Sequence, residues 1–179
     1  MQPLGLQEIV EARRVCSRAF FSDPLYVFFF PNPQKRIRQI ELLYDFILRC
    51  FQFNAFVSSS LCEGVLILQE PFGSRMFFSP LLLMRALGLV FQLGFFSVAR
   101  MVVFTLWSEW IRKRCRTNIL WEEAFHLLVI VVDPSCQGKG IGKKLLLSVI
   151  EEVRRFQKPL YLETQNPGNI AFYEHFGFV

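Results

Sequence analysis

The sequence predicts an α/β (α+β) chain, and three observations carry that prediction. Residues 126–142, HLLVIVVDPSCQGKGIG, run from an apolar, β-branched stretch straight into a glycine-rich turn. A helical pattern follows, with Leu145, Leu146, Val149, Ile150, Val153 and Phe156 on one side and Lys143, Lys144, Glu151, Glu152, Arg154 and Arg155 on the other. This is strand, turn and amphipathic helix. Residues 54–60 and 64–69 read as the two strands of a hairpin, and 6–20, 35–53 and 80–116 read as helical.

Taken in order, 6–20 places Ile9, Ala12, Val15 and Ala19 on one face, and Asp23-Pro24 breaks that helix. So little chain precedes it that a strand before it is expected to be short or missing. An aromatic run, Tyr26 to Phe30, ends at Pro31-Asn32-Pro33, and 35–53 follows as a second amphipathic helix with Ile37, Ile40, Leu43, Leu48 and Phe51 inward. Glu70-Pro71 ends the hairpin. The helical stretch 80–116 is expected in two or three pieces, bent near Gly88 or Gly94, and to close with the basic group Arg112, Lys113, Arg114 and Arg116. Cations at a helix end meet the negative end of its dipole. Contact with a phosphate is the alternative role. No linker, repeat or low-complexity segment interrupts the chain, so 1–179 is read as a single domain.

Composition narrows the classes. The chain of 179 residues is long enough for a real core. It is 53% hydrophobic with 21 phenylalanines, rich enough that membrane attachment has to be tested. Its most apolar stretch, 80–107, is divided by Arg85 and Arg100, and the part between them falls short of the ~20 residues of a spanning helix. Two helices lining an apolar pocket are the expectation there, and no membrane partner. The N-terminal MQPLGLQEIVEARR has acidic residues and no continuous apolar core, unlike a signal peptide. Five scattered cysteines without a C-x-x-C pair, and only two histidines, argue against a zinc site or disulfide framework. The expectation is a cytoplasmic protein with no metal. A net charge of +5 suits an anionic ligand, whereas nucleic acid asks for a denser basic face.

The turn after the apolar strand is the chemical centre. Gly138, Gly140 and Gly142 let main-chain N–H groups converge without a Cβ in the way. The helix start adds partial positive charge and the lysines add full charge, so the turn suits a phosphate or diphosphate. The glycines fall at every second position, which excludes the G-x-G-x-x-G dinucleotide fingerprint. Lys143 is followed by Lys144 rather than Ser or Thr, which excludes a Walker loop.

What remains, Gln137-x-x-Gly140-x-Gly142 after Val132-Asp133-Pro134, resembles the acetyl-CoA diphosphate loop of the GCN5-related N-acetyltransferases (GNAT). A second segment extends the resemblance: PLYLETQ at 159–165, then NPGNIAFYEHFGF at 166–178, most similar to the puromycin N-acetyltransferase branch. The resemblance implies a mixed, mostly antiparallel twisted sheet flanked by helices, with the last strand or strands missing because the chain stops after Gly177-Phe178. It also implies a homodimer as one way to cover the exposed sheet edge.

For the site, the resemblance implies a strand whose Ile130, Val131 and Val132 main-chain groups pair with the pantetheine arm. It implies a diphosphate grip by Gln137, Gly138, Lys139, Gly140, Ile141, Gly142 and Lys143. Asn166 and Asn169 either hold the pantetheine arm or cap the short helix. Tyr173 sits where the family's general acid sits, and a phenol with an ordinary pKa near ~10 can protonate a leaving thiolate. Glu163 is the expected general base, with Glu122 and Glu123 acting through water as the alternative. The implied activity is transfer of acetyl from acetyl-CoA to a small-molecule amine. A catalytically weak coenzyme A-binding module that works by association is the second reading. A membrane-surface protein using 80–107 is the third.

Overall fold

A computed structural model describes residues 1–71, 80–114 and 123–179, and for 80–83 and 113 the backbone alone. Five strands form one sheet in sequence order: β1 (Gln2–Pro3), β2 (Ala55–Val57), β3 (Gly64–Gln69), β4 (Phe125–Val132) and β5 (Leu160–Leu162). All neighbours are antiparallel except β4 and β5, which run parallel. The first strand is present but only two residues long.

The helices are α1 (Ile9–Ala19), α2 (Pro24–Phe29), α3 (Pro33–Cys50), α4 (Pro80–Leu93), α5 (Phe95–Arg114), α6 (Ile141–Arg155) and α7 (Ile170–Glu174). The first helix ends at Ala19, ahead of Asp23-Pro24, which begins the second. The Leu25 N–H donates to Asp23 Oδ1 at 2.9 Å, and Pro24 occupies the first turn, where no N–H is needed. Asn32-Pro33 repeats the device at α3, where the Gln34 N–H donates to Asn32 Oδ1 at 2.9 Å. The aromatic run is therefore a helix, with Phe29 and Phe30 buried in the core and Phe28 exposed.

Both faces of the sheet are covered. Val65 and Ile67 of β3 and Val129 and Val131 of β4 face the layer of α1 and α3, while Leu66, Leu68, Phe125 and Leu127 face Leu145, Leu146, Val149 and Val153 of α6. This is why β3 reads as an unbroken apolar run. Between β3 and β4 the register jumps from Ile67 opposite Val129 to Leu68 opposite Leu127, leaving Leu128 as an extra residue. Leu128 and Val129 consequently turn to the same face of the sheet, the mark of a β-bulge.

One packing expectation changes. Ile37 of α3 is exposed, and the inward place beside it goes to Arg36. That buried guanidinium donates to the carbonyls of Phe30 (2.7 Å), Phe21 (3.1 Å) and Pro31 (3.1 Å), lacing together the turns between α1, α2 and α3. The stretch 80–114 bends at Gly94, whose φ of +84° most side chains avoid, and not at Gly88. Both helices carry large apolar side chains in solvent, and α5 also lines a cavity of about 370 Å³ through Phe104, Trp107 and Ile111.

Candidate active-site cleft

The site begins where β4 and β5 part. Their parallel ladder joins Phe125 to Leu160, His126 to Tyr161 and Leu127 to Leu162, and stops there, although β4 continues to Val132. The bulge at Leu128 sits at the point of divergence. Beyond it a cleft of about 670 Å³ opens, within the size range of small-molecule sites. Ile130, Val131 and Val132 form one wall, Gln137, Gly138, Gly140, Ile141, Gly142 and Lys143 the end, and Asn166, Asn169 and Tyr173 the opposite wall. The groups picked from two separate sequence motifs thus meet in one cavity, with two exceptions.

Lys139 does not line the cleft; its ammonium stands 3.8 Å from Cys136 Sγ. Glu163 does not line it either. It borders a different cavity of about 370 Å³ beside α5, where Arg112 Nη2 holds Glu163 Oε1 at 2.9 Å and Ser108 Oγ donates to Oε2 at 3.4 Å. This carboxylate is turned to α5 and held by a guanidinium, outside the lining of the cleft where a general base was expected. Glu123 is paired with Lys158 at 2.8 Å, and Glu122 lies outside the described residues. Of the expected basic group, Arg112 serves Glu109 and Glu163 and Arg114 lies over the Trp110 ring. Arg116 and the side chain of Lys113 are outside the described residues.

The glycine turn works by conformation. Gly138 (φ +79°) and Gly140 (φ +76°) are left-handed, and a Cβ on either would meet nothing within 4 Å. Their φ angles need glycine; space does not. Gly142 has ordinary helical φ, and a Cβ there would stand 3.5 Å from Val132 Cγ2, an ordinary contact. Only two of the three glycines are therefore required by the backbone. Gly140 is the N-cap of α6 and supplies no side-chain cap, so the N–H groups of the first turn face the cleft without an intrahelical partner. An anion fits there by dipole, donors and the adjacent Lys143.

The start of the turn is clamped by Asp133, buried at 7% exposure. Its Oδ1 accepts from Ser135 N (2.9 Å) and Ser135 Oγ (2.6 Å), and its Oδ2 accepts from Arg18 Nε (2.8 Å) and Nη2. Burial alone would raise this carboxyl's pKa; the Ser135 and Arg18 bonds outweigh it and hold the pKa below the usual range. On the far wall, Asn166 Oδ1 accepts from Gly168 N at 3.0 Å, which is the capping role, while Asn169 Nδ2 reaches Thr164 Oγ1 at 3.5 Å. Burial pushes the Tyr173 phenol above its ordinary pKa. His126 stacks on Tyr161, with ring centroids 4.2 Å apart. Burial first, and the Arg112 charge second, bring its pKa down to about 4, so the ring is neutral near pH 7.

The structure adds residues that the motifs could not supply. Ala19, Phe20, Ser22 and Asp23, from the end of α1 and the turn into α2, form the outer wall, while Cys136 and Phe172, within the motifs themselves, complete the lining. Asp23 is the one carboxylate among the described lining residues. Its signal in sequence was the Asp-Pro pair, read only as a helix break. Gly64 of β3 was also missed: a Cβ there would lie 2.8 Å from Leu145 Cδ1 and 3.2 Å from the Val131 carbonyl, so glycine lets α6 sit close under the cleft. No group of metal-binding side chains occurs among the described residues.

Residues 106–178 match the acetyltransferase (GNAT) family, and that stretch contains β4, the turn, α6, β5 and α7. A stretch of 52 residues is 40% identical to the L-methionine sulfoximine/L-methionine sulfone acetyltransferase of Salmonella typhimurium, spanning 27% of this chain and 30% of that protein. The fold as a whole is similar to the crystal structure of a histone acetyltransferase HPA2 and related acetyltransferase from Corynebacterium glutamicum. The TM-score is 0.65 at 19% identity, over 99% of this chain and 82% of that one. Residues 106–178 thus match the acetyltransferase (GNAT) family model, in a chain whose fold is similar to that of the Corynebacterium acetyltransferase.

Proposed function

We propose that this protein is an N-acetyltransferase that moves acetyl from acetyl-CoA directly to the amine of a small molecule. One observation carries the reading: the parted end of β4, the open start of α6 and Tyr173 line the same cleft. The α6 N–H groups and Lys143 take the diphosphate. Main-chain groups of Ile130 to Val132 pair with the pantetheine arm, and one amide there stabilises charge developing on the acetyl oxygen. Acetyl-CoA supplies the thioester. As the amine nitrogen bonds to the acetyl carbon the C–S bond breaks, the thiolate takes the Tyr173 proton, the amine's surplus proton leaves on the Asp23 side to solvent, and a proton from solvent restores the phenol. A phenol kept protonated by burial suits that role. A small acceptor is supported by the resemblance of 159–178 to the puromycin branch and by the small substrates in the Salmonella protein's name.

Thiol release with acetyl-CoA and a panel of amines tests the proposal. Tyr173→Phe is expected to lower kcat by about 10²-fold or more while coenzyme A affinity stays within about twofold. Equal turnover in wild type and variant would remove Tyr173 from the chemistry. Tight coenzyme binding with no turnover on any amine would favour the second reading, a coenzyme A-binding module that works by association. The outer position of β5, beside an apolar groove of about 730 Å³ lined by Leu160, Leu162, Phe176 and Phe178, favours that reading.

A further inference from the structure

The largest feature left unused by the cleft is the outer face of α4 and α5. A helix apolar on all sides is normally buried. Here α5 packs only one side on the core, through Val98, Met101 and Phe104, with Phe104 edge-on to Phe29 at 5.5 Å. Its other side presents Phe96, Val103, Leu106 and Trp110, at i, i+7, i+10 and i+14, all at least half exposed. Across the bend at Gly94, Phe91 of α4 is 87% exposed and Phe95 75%. Isolated exposed apolar residues need no explanation, but a continuous stripe marks an interaction surface.

Charge selects the occupant. Residues 80–114 hold five cations, Arg85, Arg100, Arg112, Lys113 and Arg114, against one acid, Glu109, which Arg112 already engages at 2.8 Å. Arg85 and Arg114 are exposed, and the Arg114 guanidinium lies 3.9 Å over the centre of the Trp110 ring. Apolar residues with tryptophan and arginine at their edge suit the boundary between acyl chains and anionic headgroups. A second copy fits less well, since stripe against stripe would bring both sets of arginines together, and the one acid of 80–114, Glu109, is already engaged by Arg112. Spanning does not fit either. No single described helix is long and apolar enough, and the pair that passes by length and composition is bent by 112°.

We infer that α4 and α5 form an interfacial docking surface for anionic phospholipid, lying in the plane of the membrane with the apolar stripe inserted and the arginines at the headgroups. The test is sedimentation of the full chain with phosphatidylcholine vesicles, with and without phosphatidylserine, alongside tryptophan quenching by brominated lipid. Wild type is expected to pellet with the anionic vesicles, less so at high salt, and to be quenched. Val103→Glu with Leu106→Glu is expected to lower partitioning at least about tenfold while coenzyme A binding persists. Arg85→Glu with Arg114→Glu is expected to abolish the preference for phosphatidylserine. No pelleting and no quenching with either vesicle overturns the inference, as does a wild-type dimer that the Val103/Leu106 variant renders monomeric without any lipid binding. Should that variant not fold, quenching and salt dependence of wild type decide alone.

Discussion

Arg18 near the end of α1 and Asp133 at the end of β4 are joined by two nitrogens on one carboxylate oxygen, 115 residues apart in sequence. The contact fixes two things together, because α1 leads into the Phe20–Asp23 wall and Asp133 opens the glycine-rich turn. The two sides of the cleft are thus held in register by one ion pair.

Arg18→Ala is therefore expected to weaken coenzyme A binding rather than to unfold the protein. Arg18 is 40% exposed, which limits the pair to about 1 kcal/mol, or roughly a fivefold rise in Kd. Calorimetric titration checks the affinity and thermal melting checks the fold. An unchanged Kd would separate the ion pair from loop order.

The glycines of the turn should differ in their tolerance of alanine. Gly140→Ala places a Cβ at φ +76° and is expected to cost about 1 kcal/mol of stability and to weaken coenzyme A binding. Gly142→Ala adds a methyl at ordinary contact distance in a helix and is expected to be neutral or slightly stabilising. Chemical denaturation of both variants distinguishes them, and equal losses would contradict the conformational account.

Asp23 can be probed without breaking α2, because asparagine caps a helix as well as aspartate does. Asp23→Asn is expected to raise KM for a cationic amine several-fold, with coenzyme A affinity and melting temperature nearly unchanged. A neutral acceptor of similar size should show no such rise. If KM for charged and neutral acceptors moves equally, the carboxylate is not sensing the amine's charge.

His126 makes a pH prediction. Its folded pKa of about 4 lies below the ordinary value of 6.5, so the unfolded chain binds more protons between those limits. Stability is fully present above about pH 6.5 and is lost as pH falls toward 4, by an amount on the order of 3 kcal/mol. Asp45 and Asp133 add losses below that window, because their folded pKa values are depressed from 3.8. His126→Phe should flatten the dependence between pH 6.5 and 4 in urea titrations; an unaltered slope would show that another group governs it.

Local pattern was enough for the elements and for most of the cleft. The turn from Gln137 to Lys143 and the segment from Asn166 to Tyr173 are each contiguous, and their chemistry is set by spacing along one strand, turn or helix start. Ile37, Glu163 and the aromatic run show where that reasoning stops. Periodicity says that a helix has an apolar side, but not that a buried arginine will take part of it to satisfy three carbonyls. A carboxylate at a strand end can face the ligand or a neighbouring helix, and here Arg112 on α5 turns Glu163 away from the cleft.

By itself the sequence determined the α/β character, the strand–turn–helix unit and the position of the glycine-rich turn, because these follow from backbone preferences and hydrophobic period over short spans. Only the tertiary structure decided that Asp23 and Phe20 join that turn in one cleft, that the bulge at Leu128 stands where β4 leaves β5, and that α4 and α5 leave a long apolar stripe in solvent. Those outcomes depend on which surfaces meet across distant parts of the chain, and no local period encodes that choice.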